Sequence, residues 1–170
     1  MDQVDSDARG SVEDGTQQRR VFLGLGSNLG DRVALLREAI ESLKRDYVVK
    51  GISPLYETEP MGGPIDQPSY LNLVVELETL SSPRELLALC QRLEDAASRV
   101  RTVRFGPRTL DVDILLVGSL TVDEHDLKVP HPRMWDLKFV LVPLCDLAPE
   151  LVPKETLARA GGEVVFVGML

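Results

Sequence analysis

The chain has only two cysteines, Cys90 and Cys145, far apart and with neither a CxxC spacing nor a histidine at metal-ligand distance. A disulfide framework and a zinc ribbon are thereby excluded, and the two read as buried thiols of a reducing, cytoplasmic compartment. Long apolar runs are missing too. Nothing approaches the ~20 residues of a membrane helix, and the polar N-terminus reads as lacking a signal-peptide core. Positive charge is scarce: 19 Lys and Arg stand against 27 Asp and Glu, for a net charge of −8. A general nucleic-acid binder needs a positive field along the phosphate track, so neither nucleic acid nor membrane is an expected partner.

What remains is an ordinary globular mix, 44% hydrophobic and 27% charged in 170 residues, enough for one core and too little for two. Residues 1–19 have almost no apolar content and read as a disordered acidic tail, leaving 20–170 as a single domain, with a monomer expected. Against the acidic trend, Arg99, Arg101, Arg104 and Arg108 fall within ten positions. Such a local basic cluster suits a small polyanion.

Val21-Phe22-Leu23 with Leu25 predicts a short buried strand, ended by Gly26-Ser27-Asn28-Leu29-Gly30. A helix follows over about 31–45, with Val33, Leu36, Ile40 and Leu43 on one stripe. Residues 47–57 predict a strand interrupted at Pro54, and 59–69 a loop rich in proline and glycine. Leu71, Leu73, Val75 and Leu77 alternate with polar residues as a half-buried strand does. Ser82-Pro83-Arg84-Glu85 is a capping box with proline at the first helical position, opening a second helix with Leu86, Cys90, Leu93 and Ala97 inward. Residues 110–117 predict a further strand, and 164–167 a last one, with the apolar run 139–142 between them. The order βαββαβ is that of a ferredoxin-like α+β sandwich: an antiparallel sheet with helices on one face and the active site on the other.

Two segments invite chemistry. Gly24 to Gly30 has GxGxxxG spacing, not the GxGxxG of a dinucleotide fold, so a tight structural turn is the preferred reading. Asp111 and Asp113 are i and i+2 on a strand, which places both carboxylates on one face, with Leu110, Val112, Ile114 and Leu116 on the other. Such a pair is either two acids on a wet face or a site for magnesium, which prefers a few carboxylates plus phosphate oxygens. The adjacent arginines tip the balance toward polyphosphate. Gln91, Glu94, Ser98 and Arg101 make a polar stripe that reaches a nucleotide or merely faces solvent. His131 stands between Pro130 and Pro132 on a stiff mount.

Residues 104–114, Arg-Phe-Gly-Pro-Arg-Thr-Leu-Asp-Val-Asp-Ile, resemble the signature of the 6-hydroxymethyl-7,8-dihydropterin pyrophosphokinases of folate biosynthesis. The likeness extends in order through 24–30, 56–61, 67–72, 91–94, 129–134, 139–144 and 148–152. The resemblance implies transfer of pyrophosphate from ATP to a pterin hydroxymethyl group. Asp111 and Asp113 would hold two magnesium ions. Arg99, Arg101, Arg104, Arg108 and His131 would meet the triphosphate, with Gln91 and Glu94 nearer the nucleoside and Arg99 and Arg108 acting in catalysis. Tyr70 and Phe139 would sandwich the pterin, and Asn72 would read its edge together with groups at Thr58 and Met61. Two departures stand out: Phe105 replaces a common tryptophan, and Leu137 replaces the family's usual arginine. Lys138 next to it is the expected compensation, which calls for irregular backbone between Trp135 and Phe139. A non-catalytic nucleotide-binding module and a palm-type nucleic-acid enzyme are the rival classes.

Overall fold

The computed structural model describes residues 17–59, 68–99 and 110–170. Its central strand is β1 (Arg19–Ser27), and the alternation along it decides the layering. Val21, Leu23 and Leu25 point into one core, while Phe22 points into a second core on the opposite face. The strand is longer than the sequence suggests, because Gly24 and Gly26 belong to it rather than to a turn. Of Gly24, Gly26 and Gly30, Gly30 alone, at φ 67°, has the left-handed backbone a turn requires.

Antiparallel neighbours flank β1 on both sides: β4 (Tyr70–Thr79) and β5 (Asp111–Val117). Beyond β4 lie β2 (Val48–Ile52) and β3 (Leu55–Thr58), pairing with successive stretches of the same strand. The sheet order β5-β1-β4-β3-β8 ends on β8 (Val165–Gly168). This is the α+β, ferredoxin-like arrangement the sequence predicts, with one extra edge strand.

The expected break at Pro54 is real, and Ser53 repairs it. Proline has no N–H to offer the ladder. Ser53 N–H donates to the Val74 carbonyl at 2.9 Å, while its hydroxyl accepts the Val74 N–H at 2.9 Å and donates to the Pro54 carbonyl. A buried side chain thus stands in for backbone.

Helices α1 (Arg32–Asp46) and α2 (Pro83–Arg99) cover the first face. The Asp31 carboxylate caps α1 by accepting the Ala34 N–H at 3.0 Å. Leu36, Ile40 and Leu43 are buried beneath it, with Val33 at the margin. The capping box of α2 forms as expected, Ser82 Oγ accepting the Glu85 N–H at 3.2 Å. A small hairpin, β6 (Val122–Glu124) and β7 (Leu127–Val129), follows β5 and is pinned to the start of α2 by Arg84 through Glu124 and Asp126.

On the second face the apolar run at 139–142 folds as part of α3 (Lys138–Leu147), followed by a short α4 (Lys154–Arg159). Val140, Leu141 and Leu144 pack on Phe22, Val74 and Leu115, so helices stand on both sides of the sheet and the active site shares its face with α3. A β-bulge in β5 makes this possible. Leu23 pairs with Ile114 but Phe22 with Leu116, leaving Leu115 as the extra residue. Leu110, Val112 and Ile114 face α1 and α2 as expected; past the bulge Leu116 turns to the second core, opposite to its predicted side.

Ser53→Ala leaves a fully buried Val74 N–H without an acceptor. We expect it to cost about 1–3 kcal/mol, the usual penalty for such an orphan. Urea unfolding measures this, and an unchanged midpoint would show that the hydroxyl bridge is dispensable.

Candidate active site

At one end of the second face lies a cavity of about 270 Å³ whose floor is β1 itself. Directly opposed residues of antiparallel strands share a face. Gly26 is paired with Asn72 of β4 on one side and Asp111 of β5 on the other, and Gly24 is paired with Asp113. The glycines therefore separate the carboxylates from the carboxamide by bare backbone. A Cβ on Gly26 would lie 2.7 Å from Asn72 Oδ1, well inside contact distance. The GxG spacing marks this close approach of a side chain to the backbone.

Asn72 is buried, and its Nδ2 donates to Thr58 Oγ1 on β3 at 2.8 Å. That bond fixes the carboxamide and leaves one N–H and the carbonyl oxygen for a ligand. Tyr70 and Phe139 line the same cavity from β4 and from the first turn of α3. Burial first, and the Asp111 charge second, push the Tyr70 phenol up, so it stays neutral. The Tyr56 hydroxyl on β3 donates to the Asp146 carboxylate near the end of α3, tying the helix that carries Phe139 to the sheet. Burial and that bond hold Tyr56 up at about 12.

Asp111 and Asp113 both line the cavity opposite Asn72. Asp113 is open toward the cavity yet walled by protein. Its loss of bulk water pushes the carboxyl up, and the charge of His131 pulls in the other direction. Two carboxylates on one face of a cavity are a donor set that suits magnesium. Glu94, on α2, accepts the N–H of Val112, the residue between the aspartates, at 3.0 Å. Sequence reasoning puts Glu94 near a nucleoside; its oxygen is engaged on the edge of β5. Gln91 lies one turn earlier on the same helix, exposed.

His131 is mounted on β5 by its backbone N–H, which donates to the Leu115 carbonyl at 3.0 Å. Its Nδ1 accepts the Arg133 N–H at 3.2 Å, which in the neutral ring leaves the proton on Nε2. The expected irregular backbone is present as far as Leu137: a 3-10 turn over Met134–Asp136, then Leu137 extended at φ −119° and ψ 113°. From Lys138 the helix is regular. Leu137 is 9% exposed and its side chain is part of the cavity wall, whereas Lys138 is not. Among the described residues the cation lining the cavity is Arg133, which the sequence reading missed. Its signal was available two residues after His131, on the same stiff segment. Met61, Arg101, Arg104 and Arg108 lie outside the described residues, as does the side chain of Arg99.

Two predictions follow from this geometry. Gly26→Ala must displace Asn72 from Thr58, so stability should fall by about 1–3 kcal/mol, as overpacking does. Urea unfolding measures this, and a variant as stable as the parent would contradict the close approach. For Asp113, a raised folded pKa means that the group favours folding below its ordinary value, a contribution lost as pH rises through the folded value. In metal-free protein, Asp113→Asn should therefore raise the melting temperature near neutral pH, and the gain should shrink toward acid. Equal gains at both ends of a pH series of melting curves would refute this.

Comparison with known proteins agrees with the geometry. The family model of 7,8-dihydro-6-hydroxymethylpterin-pyrophosphokinase matches residues 22–149. A 2-amino-4-hydroxy-6-hydroxymethyldihydropteridine pyrophosphokinase of Bacillus subtilis is 42% identical over 148 residues, covering 86% of this chain and 88% of that protein. One from Pseudomonas aeruginosa is 44% identical over 135 residues, 78% of this chain and 83% of its own. A mitochondrial folate synthesis bifunctional protein of Pisum sativum is 39% identical over 149 residues, 87% of this chain but 29% of that longer protein. In shape, the chain is similar to the crystal structure of Plasmodium falciparum HPPK-DHPS, with a TM-score of 0.62 at 16% identity over 79% of this chain and 42% of that one. The match in fold, the family model and the identity to full-length relatives agree: this chain belongs to the 7,8-dihydro-6-hydroxymethylpterin-pyrophosphokinase family.

Proposed function

We propose that the protein transfers the pyrophosphoryl group of ATP to the hydroxymethyl oxygen of 6-hydroxymethyl-7,8-dihydropterin, releasing AMP, as a cytoplasmic step of folate biosynthesis. The observation that carries this is one cavity with two kinds of wall. A carboxylate pair stands on one side of a glycine floor, and a tethered carboxamide with two aromatic rings on the other. The first suits a metal-bound polyphosphate, and the second a flat aminopyrimidinone ring.

In this reading Asn72 offers its remaining N–H and its Oδ1 to the edge of the pterin, while Tyr70 and Phe139 hold the ring between them. Thr58 fixes Asn72 from behind, and Met61 adds a backbone contact. Asp111 and Asp113 would hold two magnesium ions, whose charge would neutralise phosphate oxygens and favour ionisation of the attacking hydroxyl. The hydroxymethyl oxygen forms a bond to the β-phosphorus, the bridging bond from that phosphorus to the AMP oxygen breaks, and the hydroxyl proton leaves to solvent. His131 donates from Nε2 to a phosphate oxygen, and Arg99, Arg101, Arg104 and Arg108 supply positive charge along the triphosphate. Gln91 lies nearer the nucleoside. Glu94 holds the backbone between the aspartates and so sets where both carboxylates point. Orientation of this kind supplies much of the rate in phosphoryl transfer, which leaves the protein little covalent work.

A non-catalytic module is favoured by one feature only, the apolar Leu137 in the cavity wall. Chromatography of ATP and AMP separates the two readings. AMP should accumulate only when magnesium and the pterin are both present. Asp111→Asn and Asp113→Asn should each slow this by on the order of 1,000-fold or more, as loss of a metal clamp does, while both variants remain folded. AMP formed equally without pterin, or full activity in both variants, would overturn the proposal.

A further inference from the structure

Arg133 is the one cation lining the cavity among the described residues, and it has no carboxylate partner there. Arg20, Arg32 and Arg84, by contrast, are each tied to acids elsewhere on the surface. Its backbone is held at two points. The Arg133 N–H is bonded to His131 Nδ1, and the His131 N–H to the carbonyl of Leu115, two residues past Asp113 on the same strand. The guanidinium therefore springs from a braced segment beside the carboxylate pair, not from a loose loop. Leu137 and Phe139, further along the same segment, line the same cavity, so Arg133 shares one space with the carboxylate pair and the aromatic rings.

We infer that Arg133 is a catalytic residue of this site that binds the pyrophosphoryl group itself, the β- and γ-phosphates, through a guanidinium fork on their non-bridging oxygens. The inference rests on the proposed pyrophosphoryl transfer and assigns that chemistry a residue. Position selects the β- and γ-phosphates over the α-phosphate. The group that moves must reach from the metal-binding carboxylates to the pterin, and Arg133 lines the cavity that both walls share. Charge points the same way: Asp111, Asp113 and Glu59 line the cavity, so the described wall is short of cations for a polyanion. Lys138, the compensation expected from sequence, is not part of the wall, and Leu137 beside it is apolar and buried. An arginine differs from a lysine here. It keeps its charge in a walled site and presents two parallel N–H donors, matching a phosphate that carries paired oxygens.

The test compares Arg133→Ala, Arg133→Lys and Lys138→Ala with the parent by calorimetric titration. Three probes are used with magnesium: tripolyphosphate, AMP and the pterin. Arg133→Ala should weaken tripolyphosphate binding on the order of tenfold, the loss of one charge-assisted contact. AMP affinity, pterin affinity and melting temperature should stay at parental values. Arg133→Lys should recover part of the loss, and Lys138→Ala should bind tripolyphosphate like the parent. In turnover, Arg133→Ala should lower kcat as well as kcat/KM, because the contact follows the group in flight. Unchanged tripolyphosphate affinity in Arg133→Ala overturns the inference, as does an equal loss for AMP and pterin, or a larger loss in Lys138→Ala. A parent that makes no AMP from ATP and pterin would defeat the proposed function instead. The tripolyphosphate comparison would still decide whether Arg133 is an anion ligand.

Discussion

The bare backbone at Gly26 is the constraint on which the rest of the site depends. Asn72 and Asp111 flank that residue from the two neighbouring strands, on the same face of the sheet. A side chain at 26 would put its Cβ 2.7 Å from Asn72 Oδ1, so the carboxamide held by Thr58 would have to shift. A glycine inside a central strand is normally a liability, since it packs nothing and loses the most conformational freedom on folding. Here the liability is confined to one face. Leu23 and Leu25, on the other, are wholly buried against the helices, so the strand is anchored by the side that does not touch the ligand.

The second face solves a related problem. A sheet open on one side for its whole length would expose Phe22, Val74 and Leu115, and each large apolar side chain left in water forfeits about 1.5–3 kcal/mol. α3 covers those three and stops short of the glycine floor. The bulge at Leu115 fits this division, because it places that residue under α3 while the aspartates just before it stay in the cavity. The same helix delivers Phe139 to the site from its first turn and is held to the sheet by Tyr56 and Asp146 near its other end. Core packing and the cavity wall thus use one element, at different positions along it.

Local rules made most of the fold legible. Period-two alternation gave β4, the Ser-Pro-Arg-Glu box gave the start of α2, and the i, i+2 spacing placed Asp111 and Asp113 together. What stayed hidden was set by tertiary context. The run Phe139 to Val142 is apolar at every position, so periodicity cannot tell a strand from a helix there. Only the layer it covers decides. The bulge that turns Leu116 away from its predicted side depends on pairing with β1, and no pattern within 110–117 announces it. Gly24 and Gly26 look like turn residues because glycine usually marks a backbone need; here it marks a side chain's need for room. Arg133 escaped although it stands two residues after His131 on the same stiff segment, because which wall it joins is set by tertiary packing.

Charge in this site is built up against the grain of stability. Asp113 keeps a carboxylate where water is limited, and the pull of His131 offsets that only in part. Glu94 accepts the edge-strand N–H of Val112, between the two aspartates. The clamp is informative because of where it falls. Fixing the Val112 N–H fixes the direction of both neighbouring side chains, since residues on either side of a strand position point together to the other face. Two like charges on one face repel, and the proposed magnesium ions would relieve that repulsion. The folded chain carries that cost in a region flanked by two well-packed cores.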